Sequence, residues 1–377
     1  MTKIFPNRRG VLKAFGAASV LLATPNAWGN APAGSAPEIA QVGVGVLYGG
    51  NRTDFGYNQA HAEAVRALAA LPGIRIEERE DAAGHLAAAA EELVNEKGCR
   101  VVFVTAPGGE ALPSLLAQAD ANRDAAFLFC GAPLDEDRLP MNVGFYEGFL
   151  DEAQHISGIV AGYASRAKAI GMVASHAAPA VLRCVNAFAL GARRADSAVT
   201  VRVAFVGEGA PPEAVAEAAR GLAAGGVDVL AAHVDAPRPV CEVAESHGLL
   251  CCGVHTDLSA IAPQGFLTGA EWDWGRAYAD TVSMVAAGKP WKRQRQGGFG
   301  AGFVRNTAYG PAVGVEARAH ADAARMQLAN GNAAVFRGPI VDNTGRTVLA
   351  KGKTIASADP ALDRMVWLAD GVTEVGR

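Results

Sequence analysis

The run Val42-Gly-Val-Gly-Val-Leu-Tyr48, followed by the polar stretch Asp54-Phe-Gly-Tyr-Asn-Gln-Ala-His61, sets the fold class. The first segment is short, rich in β-branched residues and apolar on both parities, which reads as a strand buried on two faces. The second leads into helical periodicity over 59–70. The alternation then repeats outward along the chain: strands over 74–78, 101–105 and 126–130, with helices over 86–97 and 111–122 between them. Such β-α-β-α order is that of a parallel sheet covered on both faces.

After a strand at 142–146 and a helix at 149–165, the pattern restarts. Strands are expected at 169–174, 200–206, 227–231 and 249–254, and helices at 181–195, 212–224 and 238–246. Two consecutive open α/β units of similar size follow, joined near 146–150. The tail differs: 335–342 and 347–350, separated by Asn343-Thr344-Gly345, read as a β-hairpin.

The chain of 377 residues has 38 acids and 34 bases, a formal charge of −4. Arg8-Arg9, with Val11-Leu12-Lys13 and an apolar stretch behind it, resembles a twin-arginine export signal over 1–33. Removing its four bases (Lys3, Arg8, Arg9, Lys13) takes −4 to −8. No cysteine lies near the cleavage zone, so no lipid anchor is implied, and a free periplasmic protein is expected. There is no basic stripe interleaved with aromatics, which disfavours nucleic acid. The six cysteines show no Cys-x-x-Cys spacing and are expected in the core.

In an open parallel sheet, ligands bind beyond the carboxyl ends of the strands. Those ends carry Asp54, Tyr57, Phe145, Glu147, His233, Asp235, His255 and Asp257. Gly43-x-Gly45 is no nucleotide loop, because Tyr48 replaces the third glycine. His233-Val-Asp235 and His255-Thr-Asp257 could each be half a metal site, but strand-end histidines more often line a polar cleft. No metal and no cofactor is expected. No nucleophile elbow or activated cysteine is present. Asp54, Glu147 and Asp257 could face one cleft as paired carboxylates, which keeps an exported hydrolase of nucleosides as the alternative. Trp272-Asp-Trp274 sets two indoles on one side of an extended segment. Trp274 reads as core, and Tyr57 as a surface for stacking on a planar ligand.

Taken in order, six stretches resemble the basic membrane protein family of periplasmic binding proteins, closest to the branch that takes up purine bases. They are Asp54–His61 as quoted, Phe145-Tyr-Glu-Gly148, Val185-Asn-Ala-Phe-Ala-Leu-Gly-Ala-Arg193, His233-Val-Asp-Ala-Pro237, Glu271-Trp-Asp-Trp-Gly275 and Phe336-Arg-Gly-Pro-Ile340. The resemblance implies a type I periplasmic-binding-protein fold, with two doubly wound parallel-sheet lobes joined by hinge crossings. Lobe 1 would span 38–146 and 266–293, and lobe 2 would span 147–265 and 294–377. It also implies a monomer that hands a small heterocycle (purine base, nucleoside or related compound) to an inner-membrane ABC permease without turnover. Tyr57 would stack on the base, and Asn186 and Asp257 would bond its edge. Asp54, Phe145, His255 and Trp272 complete the expected site. Tyr57 stands where the branch usually has tryptophan, Val254-His255-Thr256 departs from its usual approach to the aspartate, and Asp273 replaces an asparagine.

Overall fold

The computed structural model describes residues 41–80, 82–131 and 139–376; the expected export signal lies outside them. In chain order the first half runs β1 (Val42–Leu47), α1 (Tyr57–Ala69), β2 (Ile74–Arg79), α2 (Leu86–Asn95), β3 (Cys99–Val104), α3 (Leu112–Ala121), β4 (Ala126–Cys130) and β5 (Val143–Gly148). The second unit follows as α4 (Leu150–Ala164), β6 (Ala169–Ala174), α5 (Pro179–Ala195), β7 (Thr200–Phe205), α6 (Pro212–Ala224), β8 (Val229–His233), α7 (Arg238–Ser246), β9 (Leu250–His255) and β10 (Phe266–Trp272). Then come α8 (Gly275–Ala286), β11 (Gln294–Gly297), β12 (Val304–Asn306) and α9 (Val315–Ala329).

Two sheets result. The first has the order β11-β5-β4-β3-β1-β2 and is parallel throughout. The second has the order β12-β10-β9-β8-β6-β7 and ends on a late strand, Val372–Glu374; only β12 runs antiparallel. Strand order reverses beside β1 in one sheet and beside β6 in the other, the positions where open α/β sheets leave a crevice. Apolar layers lie on both faces of each sheet, as the near-continuous valine and alanine runs require.

The expected division at the crossings is corrected. Phe266–Trp272 pairs in parallel with Leu250–His255 and belongs to the second sheet, not to lobe 1. Gln294–Gly297 pairs with Val143–Gly148 and belongs to the first, not to lobe 2. The chain thus passes between sheets after β5, after β10 and after β11. The edge strands β11 and β12 each come from a segment that has already visited the other lobe, a pairing that local pattern does not encode. Close packing holds the crossings together: a Cβ at Gly148 would press on the rings of Trp272 and Trp274, and one at Gly298 would overlap the Glu152 carboxylate.

The C-terminal hairpin is present but shorter than expected. Ile340–Val341 pairs antiparallel with Thr347–Leu349, whereas Phe336–Arg337 pairs with Thr354–Ile355. Pro339 has no N–H for a ladder and splits the anticipated strand in two. This tail lies against α4 and α5. Those helices approach closely because Gly158, Gly162 and Gly191 bring one backbone against the other, where a Cβ would overlap a facing carbonyl.

Candidate binding cleft

The carboxyl ends of both sheets face one cavity of about 300 Å³, at the lower end of the roughly 300–1,000 Å³ range of small-molecule sites. The first sheet contributes Tyr57, Cys130 and Glu147. The second contributes His233 and His255, and Trp272 and Trp274 come from the second crossing. Helices α4 and α5 add Asp151 and Arg183, while His176, Glu208 and Asp235 stand at its exposed margin.

One wall is a column of rings. His255 lies edge to edge with Trp272, nearly coplanar and joined to it by a hydrogen bond (centroids 6.1 Å apart), while Trp272 stacks on Trp274 (4.8 Å) and Trp274 on His61 (5.3 Å). In the first lobe His61 Nδ1 bonds the Tyr278 hydroxyl at 2.8 Å, and Tyr278 stacks on Phe103 (3.9 Å). The spacing of two in Trp272-Asp-Trp274 aligns the indoles as the sequence suggested. Trp274 is at once fully buried and part of the wall. Glu271, also buried, fixes this crossing by accepting from Arg305 at 2.8 Å and from Thr307.

His255 is fully bonded to protein. Its Nδ1 accepts from Trp272 Nε1 at 2.9 Å, so Nε2 carries the proton and donates to Val234 O at 3.1 Å. Burial lowers its pKa to about 4, and burial with His255 nearby lowers that of His233 to about 3, so both are neutral at pH 7. Tyr57 donates its hydroxyl to Thr105 O at 2.7 Å, which holds the ring at the cavity.

Another part of the lining is polar. Asp151 and Arg183 form a buried ion pair at 2.7 Å, and Glu147 accepts from Gln296 at 2.7 Å. Burial raises the carboxyl pKa of Asp151 against the charge of Arg183, and raises that of Glu147 against its bond from Gln296. Burial pushes the Cys130 thiol up to about 12, so it is no thiolate. Among the described residues, three buried polar atoms of the lining find no partner: Trp274 Nε1, Arg183 Nε and His233 Nδ1. Folded proteins rarely leave such groups unpaired, and grouped around a cavity they mark where a guest would bond.

Of the expected site residues, the structure brings Tyr57, His255 and Trp272 together on this cavity and sets the other four elsewhere. Asn186 is fully buried against the tail: its Nδ2 donates to Trp367 O at 2.8 Å and its Oδ1 accepts from Ala369 N at 2.8 Å. Asp257 is exposed and accepts from the amide of Ser259 two residues on, a local turn. Phe145 packs in the core against Phe129, because alternation along β5 turns it away from the cleft. Asp54 caps α1, accepting from the amides of Gly56, Asn58 and Gln59. Asp54 and Asp257 are therefore spent on local turns, and only Glu147 of the proposed carboxylate set reaches the cavity. The sequence reading missed Arg183 and Asp151, whose one signal was a charged residue within an otherwise apolar helix face.

Comparison with known proteins agrees with this architecture. A solved ABC transporter solute-binding protein from Conexibacter woesei superposes with a TM-score of 0.65 at 25% identity, covering 78% of this chain and 97% of that one. The fold is the type I periplasmic-binding-protein fold. A purine-binding protein of Brucella abortus is 26% identical over 325 residues, 85% of this chain and 90% of its own. A provisionally assigned glucose-binding ABC transporter protein of Haloferax volcanii is 30% identical over 198 residues, 52% of this chain and 50% of its own. The profile of the family described as ABC transporter substrate-binding protein PnrA-like matches residues 41–302. The chain belongs to that family of ABC transporter substrate-binding proteins.

Proposed function

We propose that this protein captures a purine nucleoside, or a closely related heterocycle, in the periplasm and delivers it unchanged to its permease, working as a monomer freed from its export signal. The observation that carries this reading is the two-sided cavity. Tyr57 and Trp272 offer flat apolar surface for a base, and Arg183, Glu147 and His233 offer donors and acceptors on the same cavity. A ribose or a base edge would find partners among the unpaired Arg183 Nε, His233 Nδ1 and Trp274 Nε1. The Brucella relative is a purine-binding protein, which supports the same ligand class. Turnover needs an activated water or nucleophile; burial keeps the Cys130 thiol protonated and makes His233 a weak base, which speaks against both, and the product assay below tests the cleft carboxylates.

The test is thermal unfolding with inosine, hypoxanthine, D-ribose or D-glucose. A ligand specific for the folded state at a hundredfold excess over Kd stabilises by about 2.7 kcal/mol. Inosine or hypoxanthine is expected to raise the melting temperature with no product formed over hours. A shift with glucose alone, or release of free base from inosine in proportion to protein, overturns the reading.

A further inference from the structure

We propose that Gly56 is the residue on which closure of the two lobes depends, because its missing side chain lets the Phe55–Tyr57 turn of one lobe dock onto the Asp235–Arg238 turn of the other. The Tyr57 amide donates to Asp235 O at 2.9 Å across the cleft. A Cβ at Gly56 would overlap that same carbonyl and crowd Pro237. Around this backbone contact the Arg238 guanidinium sits 4.6 Å over the Phe55 ring, and Thr256 Oγ1 donates to Phe55 O at 3.4 Å.

The turn is prepared for the contact. The Asp54 carboxylate holds the amides of Gly56, Asn58 and Gln59, and Phe55 takes a left-handed backbone with φ of 55°. The Tyr57 amide is then the leading donor of α1, with no partner inside its own helix. A carbonyl from the facing lobe satisfies it and meets the positive end of the helix. When the lobes part, water must replace that carbonyl. Tyr57 and Asp235 both line the cavity, so the latch and the ligand wall are one structure. Asp54, assigned from sequence to the ligand, shapes the latch instead. The inference does not depend on which ligand the cavity takes.

The test reads closure directly and needs no ligand. In the full chain, Phe55→Cys with Arg238→Cys places thiols on the two sides of the latch. A short bis-maleimide then captures each closing event as a cross-linked monomer, and the chain without the pair gives the background. Adding Gly56→Ala is expected to slow capture by roughly tenfold or more, the loss expected when the closed fraction falls accordingly, while the ligand-free melting temperature holds. Thr256→Val in the same pair, a change that does not strain the turn, is expected to slow capture by about twofold to fivefold, as loss of a single hydrogen bond converts. Capture at the unsubstituted rate in folded Gly56→Ala overturns the proposal, whatever Thr256→Val does. Should Gly56→Ala fail to fold, the Thr256→Val result decides: slowed capture supports the latch, and an unchanged rate overturns it.

Discussion

Tyr57 and Asn186 both entered the expected site through the family resemblance, Tyr57 also through its place at a strand end, and the molecule uses them in opposite ways. Tyr57 opens α1 at the carboxyl end of β1 and lies on the cavity wall. Asn186 lies two turns into α5 and is sealed beneath the tail, bonded to the backbone at Trp367 and Ala369. The difference is one of distance along a helix. The first turn of α5 meets the cleft, and Arg183 reaches it; at about 1.5 Å per residue, Asn186 stands about 4.5 Å farther from it. Tyr57, at the start of its helix, reaches the cavity, whereas Asn186, deeper in α5, serves the fold.

Changes at α5 test that contrast most severely. Arg183→Met should destabilise by about 3–5 kcal/mol, since it strands a buried carboxylate at Asp151. Adding Asp151→Asn should recover part of the loss. Urea unfolding measures both, and a loss below about 1 kcal/mol would mean that water already screens the pair.

Asn186→Ala comes next. Two buried backbone groups of the tail lose their partner, and a loss of about 2–4 kcal/mol is expected. Inosine affinity of the folded fraction should stay within about twofold. An unchanged melting temperature with binding abolished would return Asn186 to the ligand and erase the contrast.

With pH the effect is graded, about 1.4 kcal/mol per pH unit for each buried histidine. Burial lowers the pKa of His61 and His233 to about 3 and of His155 and His255 to about 4. The unfolded chain binds these protons below pH about 6.5, and the native state does not until far lower. Stability should therefore be level above pH 7 and fall as pH drops from about 6.5 towards 4. His233→Asn should reduce the proton uptake on unfolding at pH 5 by about one. A slope unchanged by that substitution would mean that His233 titrates freely in the folded protein.

The fold was legible because its signals are local. Strands such as Ala126–Cys130 and Ala169–Ala174, and helices such as Pro212–Ala224 and Arg238–Ser246, announce themselves by apolar period, proline starts and glycine stops. The crossings were not, because whether Phe266–Trp272 pairs with Leu250–His255 or with a first-lobe strand depends on both lobes already being present. The site was half legible. Tyr57 and Trp272 sit in loops or at strand ends, where direction follows from topology. Phe145 misled because β5 is buried on both faces, so alternation fixes parity but not which parity meets the cleft. Asn186 misled because its partners lie about 180 residues later.

If the proposed function holds, the ligand lies against Tyr57, and Asp257, the aspartate matching the family motif, plays no part. Calorimetric titration of inosine into wild type, Tyr57→Ala and Asp257→Ala tests it most directly. Tyr57→Ala should weaken binding by roughly tenfold to a hundredfold, from lost stacking and buried area. Asp257→Ala, on an exposed turn, should bind within about twofold of wild type. Binding lost in Asp257→Ala and kept in Tyr57→Ala would contradict the account.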